Sequence, residues 1–146
     1  MSKKPERAYL DSMVFIFGRL EECTSRLVLF LAQLGEFEVV TSELILEEVE
    51  RFFRENFSRE AGYLARKYVE ELSFRIIKRG DIKADKSLLR SKIKGNDLEN
   101  VAAVKHENLK YLVAYDKDYG EAGVKEYITP KEFVKLFNLK PYDKEY

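Results

Sequence analysis

Residues 8–17 read Ala-Tyr-Leu-Asp-Ser-Met-Val-Phe-Ile-Phe, a short apolar strand with one aspartate, Asp11, set into it. A second stretch has the same form. Leu112-Val113-Ala114-Tyr115 runs directly into Asp116, and Asp118 follows two residues later. Outward from these two, the pattern predicts a helix over 18–35, where Leu20, Leu27, Phe30, Leu31 and Leu34 keep a three-to-four spacing. A strand is expected over 37–40. Thr41 or Ser42 then offers an N-cap for a helix over 43–53 with a stripe of Leu44, Ile45, Val49, Phe52 and Phe53.

Ser58 caps a further helix to about Leu72, with Tyr63, Leu64, Tyr68 and Leu72 expected inward. A strand over 74–77 follows, then a mixed, charged segment over 78–94. A helix over 97–106, strands over 111–114 and 126–128, and a closing helix to 137 complete the chain. Thr129 as N-cap with Pro130 at the first helical position opens that last helix. Strands separated by helices imply parallel crossovers. The fold class is therefore α/β, a central, mainly parallel sheet covered by helices on both faces. In open sheets of this kind ligands gather at the carboxyl ends of the strands.

The chain has 146 residues, which suits one domain over 1–146. Its 10 Phe and 9 Tyr, with many aliphatic residues, supply a core and argue against disorder. Lys and Arg number 26 and so do Asp and Glu, which excludes a protein that binds polyanions through bulk charge. A single cysteine, Cys23, excludes an internal disulfide framework and a Cys-rich zinc site, and is compatible with a reducing, cytoplasmic setting. The opening Met-Ser-Lys-Lys-Pro-Glu-Arg runs straight into the first strand, so no signal segment is expected. The longest apolar run, 27–32, falls far short of the roughly 18 residues that span a bilayer.

The acids carry the chemistry. Asp11 and Asp116 stand at the carboxyl ends of two expected core strands, with Asp118 beside the second. Glu48 lies inside a helix six residues past Ser42, and Asp97 opens a helix after Gly95-Asn96. Carboxylates gathered on one rim repel one another unless something compensates. The usual compensation is a hard divalent cation such as Mg²⁺, which takes oxygen ligands and supports phosphodiester hydrolysis. Nothing else competes as a catalyst. The one histidine, His106, has no nucleophile beside it in sequence, and no phosphate-binding glycine loop is present. Cys23 reads as a small helix residue.

These segments together resemble the PIN-domain nucleases, VapC-like toxin ribonucleases and related RNA-processing enzymes. Tyr9-Leu-Asp-Ser-Met-Val-Phe-Ile is similar to their opening strand. Thr41-Ser-Glu-Leu-Ile-Leu-Glu-Glu-Val-Glu-Arg-Phe-Phe is similar to a second motif in which a capped helix presents a glutamate. Asn96-Asp-Leu-Glu-Asn-Val-Ala-Ala-Val resembles the third motif and Leu112-Val-Ala-Tyr-Asp-Lys-Asp-Tyr the fourth, with 19 positions from Asp97 to Asp116. Tyr127-Ile-Thr-Pro-Lys-Glu-Phe resembles the closing strand and helix.

The resemblance implies a PIN-like three-layer sandwich and a Mg²⁺- or Mn²⁺-dependent endoribonuclease. Asp11, Glu48, Asp97 and Asp116 would be catalytic and metal-binding, with Asp118 as an accessory ligand and Glu47 as the fallback for Glu48. It further implies an RNA substrate, a small antitoxin protein as partner, and a homodimer supported by the aromatic helices at 20–34 and 52–72. One departure concerns position 114. Many family members carry Thr or Ser two residues before the fourth-motif aspartate, whereas Ala114 brings no hydroxyl to orient a carboxylate or water.

Four further residues are candidates for substrate contact. Ser12 adjoins Asp11 and either steers it or satisfies local backbone. Asn100, one turn past Asp97, either touches a metal-bound water or is a polar surface residue. Lys92 and Lys94 close a basic run with Lys78, Arg79, Lys83, Lys86 and Arg90, which is either a solvated face or a contact for an RNA backbone. Two rival readings stand beside the nuclease. One is a non-catalytic PIN-like scaffold that binds RNA or protein. The other is a haloacid-dehalogenase-like phosphatase using the Asp116-Lys-Asp118 strand, although that strand normally opens such a domain and here comes fourth.

Overall fold

The structure is a computed structural model that describes residues 4–143. Five strands, β1 (Arg7–Leu10), β2 (Glu38–Ser42), β3 (Ser73–Ile77), β4 (Leu112–Val113) and β5 (Tyr127–Ile128), form one sheet in the order β3-β2-β1-β4-β5. Every neighbouring pair is parallel. From β1 the chain adds β2 and β3 on one side, then crosses back to place β4 and β5 on the other. That reversal lies between β1 and β4, where an open α/β sheet leaves a crevice at its carboxyl edge. Tyr9 pairs with Leu112 and Leu10 with Val113. The Asp11 N–H continues this ladder by donating to the Val113 carbonyl at 3.1 Å.

The connections are helical. α1 (Ser12–Leu20) and α2 (Thr24–Gln33) join β1 to β2, and α3 (Glu43–Asn56) and α4 (Arg59–Leu72) join β2 to β3. A 3-10 turn (Arg79–Ile82), α5 (Lys83–Leu89) and α6 (Gly95–His106) lead to β4. Short α7 (Asp118–Glu121) and α8 (Pro130–Lys135) flank β5. α1 packs on α2 and α3, α3 on α4, and α2 on α8, while α5, α6 and the 3-10 turn form a second group. Ala8, Tyr9 and Leu10 are all buried, as are Val39 through Ser42. Strands covered on both faces run apolar without alternation for this reason. No helix among the described residues is long and apolar enough to cross a membrane.

Three expectations are corrected by the packing. The first strand stops at Leu10, and Asp11 caps α1 with its side chain accepting from the Ser12 N–H. The single helix expected over 18–35 is two helices, broken where Glu21 and Cys23 both take extended backbone angles. Cys23 is therefore the N-cap residue of α2, its thiol 3.6 Å from the Phe17 carbonyl, and not a residue within a helix. Third, the segment 78–94, read only as mixed and charged, contains the 3-10 turn and α5.

The inward faces also differ from the pattern of large apolar residues. Leu20, Phe30 and Leu34 point outward, and in α4 Tyr63 and Leu64 are 59% and 57% exposed while Gly62, Ala65 and Val69 face the core. The cause is close approach. A Cβ on Gly62 would lie 2.9 Å from the Glu50 carbonyl oxygen of α3, so the helix pair meets through its smallest residues. Spacing of Leu and Tyr then marks the face only in part: Tyr63 and Leu64 turn out, while Tyr68 and Leu72 pack against the core. Gly18 does the same for α1 and α2, where a Cβ would stand 3.0 Å from the Ser25 carbonyl oxygen. Gly62→Val should accordingly force α3 and α4 apart and cost about 1–3 kcal/mol, read as a lowered midpoint in thermal or urea denaturation. An unchanged midpoint would contradict the close packing.

Candidate active site and metal centre

The crevice between β1 and β4 collects the acids. Asp11 leaves the end of β1 and Asp116 follows β4 by three residues. The Asp118 N–H donates to Asp116 Oδ1 at 2.9 Å, a tight turn that turns both carboxylates toward one place. Asp97 enters from the first turn of α6. Lys94 is the N-cap residue of that helix and Gly95, at φ 64°, turns the chain into it, so Asp97 is free of capping duty. One oxygen each from Asp97, Asp116 and Asp118 lies within 4.8 Å of the others.

Asp11 sits deeper than these three. Burial, with the charges of Glu48, Asp97 and Asp116 nearby, pushes its carboxyl up to about 7 despite the Ser12 N–H bond. Glu48 comes from α3 and is also raised by burial, opposed by hydrogen bonds from Asn96 and Ser12. Asn96 Nδ2 donates to Glu48 Oε2 at 3.0 Å. Glu47, the adjacent alternative, turns the other way and meets Arg79 Nη1 at 3.0 Å. Asp97 is raised by burial and by Asp116, and a hydrogen bond from Tyr119 opposes the rise. Asp116 and Asp118 are exposed.

Behind the acids lies a buried polar network absent from the sequence reading. Tyr9 Oη lies 2.8 Å from Ser42 Oγ and donates to Asn100 Oδ1 at 2.5 Å. Asn100 Nδ2 donates to Tyr119 Oη at 3.0 Å, and Tyr119 Oη reaches Asp11 Oδ2 at 3.5 Å. All four network side chains are at most 2% exposed. Asn100 is therefore neither a surface residue nor poised over solvent. The available signal was the three-residue step from Asp97 to Asn100, which puts both on one helix face. Tyr9 lies in an apolar run and reads as core, and Tyr119, between Asp118 and Gly120, has no neighbour that marks it.

The other expected contacts are divided. Ser12 is buried and bonds Glu48. Lys92 and Lys94 are exposed in the segment leading into α6. Two members of the basic run, Arg79 and Lys86, are used internally. Arg79 binds Glu47 and, through Nε at 2.9 Å, Glu99, while its N–H donates to Glu43 Oε1 at 2.8 Å. Lys86 Nζ lies 3.4 Å from Glu99. His106 Nδ1 lies 3.1 Å from Asp85 Oδ2, on the helix end away from the acids.

The donor set fits a hard divalent cation. It is all oxygen and all anionic, open on the Asp116–Asp118 side, and it contains no nitrogen or sulfur ligand of the kind that zinc favours. Crowding and burial raise Asp11, Glu48 and Asp97, the electrostatic strain that a bound cation relieves.

No family model matches the sequence, and no curated protein does. Solved structures do match the fold. A toxin–antitoxin complex from Klebsiella pneumoniae aligns over 86% of this chain and 98% of its own, with TM-score 0.65 and 21% identity. VapBC2 from Rickettsia felis, bound to a DNA fragment from its promoter, aligns over 84% and 96%, with TM-score 0.65 and 16% identity. VapC20 from Mycobacterium tuberculosis, a sarcin–ricin loop cleaving toxin, aligns over 81% and 97%, with TM-score 0.59 and 16% identity. At these identities the likeness is one of fold, and the fold is PIN-like.

A raised acid sets a pH dependence. Between the ordinary carboxylate range and pH 7 the unfolded chain has lost the Asp11 proton while the folded chain keeps it, so stability falls as pH rises across that window. Without divalent metal, Asp11→Asn should therefore be more stable than the parent at pH 8, by on the order of 1–4 kcal/mol. The advantage should vanish toward pH 4. Thermal melts in chelator at several pH values check this, and equal melting at pH 8 would contradict it.

Proposed function

We propose that this chain is a single PIN-like domain over 1–146 that hydrolyses RNA phosphodiester bonds as a divalent-metal-dependent endoribonuclease. The observation that carries the reading is the cluster of Asp97, Asp116 and Asp118 at the reversal point of the sheet, with the buried Asp11 close enough for Glu48, Asp97 and Asp116 to raise it. Asp11, Glu48, Asp97 and Asp116 would hold Mg²⁺ or Mn²⁺, with Asp118 assisting. When bound, the ion supplies a lowered pKa for an attacking water and neutralises charge on the scissile phosphodiester.

The chain's own residues divide the remaining work. Asp11, held by the Ser12 N–H, forms the floor of the crevice. Asn96 and Ser12 orient Glu48. Asp116 and Asp118 stand exposed at the mouth, where a polymer backbone has access. Lys92 and Lys94, exposed ahead of α6, are suited to the phosphates on either side of the cleaved bond. A toxin acting in the cytoplasm and neutralised by a small antitoxin accords with the toxin–antitoxin complexes that share the fold. Phe30, Leu34, Tyr63 and Leu64, exposed on α2 and α4, supply the apolar surface that an antitoxin or a second copy of the chain would cover.

The test is cleavage of end-labelled RNA, one unstructured and one carrying a sarcin–ricin-type stem-loop. Cleavage should stop in EDTA and return with Mg²⁺ or Mn²⁺. Asp11→Asn and Asp97→Asn should each lose at least about 100-fold with the circular dichroism spectrum unchanged. Cleavage that persists in EDTA, or in both variants, would overturn the mechanism.

A further inference from the structure

The polar network behind the acids has a direction. Asn100 Oδ1 accepts from Tyr9 Oη, which fixes the amide so that Nδ2 faces Tyr119. Having donated its proton to Asn100, Tyr9 Oη takes the proton of Ser42 Oγ. Ser42 Oγ in turn accepts the Ile45 N–H at the start of α3. Each group thus receives from the one before it and donates to the one after it. The series ends at Tyr119, whose oxygen already accepts from Asn100. Its own proton is left for the carboxylates: the hydroxyl reaches Asp11 Oδ2 at 3.5 Å, and it stands near enough to Asp97 to lower that carboxyl against the rise from burial.

We infer that Tyr119 is a positioning residue of the metal centre, its hydroxyl aimed by Asn100 so that it holds the Asp11 and Asp97 carboxylates side by side in the geometry that receives a divalent cation. It supplies from α7 the hydroxyl that Ala114 lacks. Removing the hydroxyl leaves two like charges with no shared donor between them and Asn100 Nδ2 with no acceptor at that end. The carboxylates then lose the fixed orientation that makes outer-sphere partners worth roughly 10–100-fold in metal affinity.

This inference rests on the proposed metal site, and one titration separates the two. Mn²⁺ is titrated into the metal-free protein and followed by calorimetry and by the loss of the free-ion electron paramagnetic resonance signal. The parent should bind. Tyr119→Phe, which keeps the buried ring, should bind at least about tenfold more weakly with an unchanged circular dichroism spectrum. Asn100→Leu, which leaves the hydroxyl in place but unaimed, should weaken binding in the same direction. RNA cleavage by Tyr119→Phe should recover at saturating Mn²⁺, whereas cleavage by Asp97→Asn should not. Parent-like Mn²⁺ affinity in both variants would overturn the positioning role and leave the metal site standing. Failure of the parent itself to bind Mn²⁺ would overturn both.

Discussion

Tyr9 opposite Leu112 and Leu10 opposite Val113 make a pairing of only two residues, and much else in the molecule depends on it. β1 and β4 are far apart in sequence, and their parallel register puts the residues that leave them, Asp11 and Asp116, at the same edge. Parallel strands all emit their chains at one end, so the helices that follow β2 and precede β4 bring Glu48 and Asp97 to that edge as well. The acids are neighbours because the sheet reverses there, and they remain uncomfortable neighbours. Asp11 held near 7 is the measure of that discomfort. Apolar burial along the strands must outweigh it, which fits the general observation that sites are placed where the fold is least at ease.

Much of this was legible in the residues. Apolar runs ending in aspartate marked both switch-point strands, and Ser42, Ser58 and Thr129 each cap the helix assigned to them. Helix faces were less legible. Gly18 and Gly62 carry no hydropathy signal, yet they decide which side of α1 and α4 can approach a neighbour. Where backbones meet over glycine, some large residues are displaced to the outside, and a reading that follows Leu, Phe and Tyr holds for Leu31, Tyr68 and Leu72 but fails for Phe30, Tyr63 and Leu64. The break at 21–23 was hidden for a similar reason. The residues on either side of it sustain a helical period, and only the tertiary contact between α1 and α2 requires a corner.

At the site, the acidic residues were visible by type, and their support was not. Glu47 and Glu48 are indistinguishable in composition. They are told apart by rotation about α3, which turns one to Arg79 and the other to Asn96. Asn100 read as a surface residue or a water contact and Tyr119 carried no reading, yet they meet in a network that crosses the molecule from the cap of α3 to Asp11. A hydroxyl or amide reveals its partner only when distant segments are brought together, since spacing along a single element contains no information about the other end of the bond.

Arg79 has a consequence beyond joining α3 to α6. Its guanidinium and amide engage Glu43, Glu47 and Glu99, three acids on the same elements that carry Glu48 and Asp97. Left unopposed, they would deepen the negative potential around the mouth of the crevice and slow the arrival of any polyanion. With Arg79 and Lys86 turned toward them, the repulsive field is confined to the few carboxylates at the edge between β1 and β4. A molecule with no net charge can in this way keep an acidic cluster without a surrounding electrostatic fence.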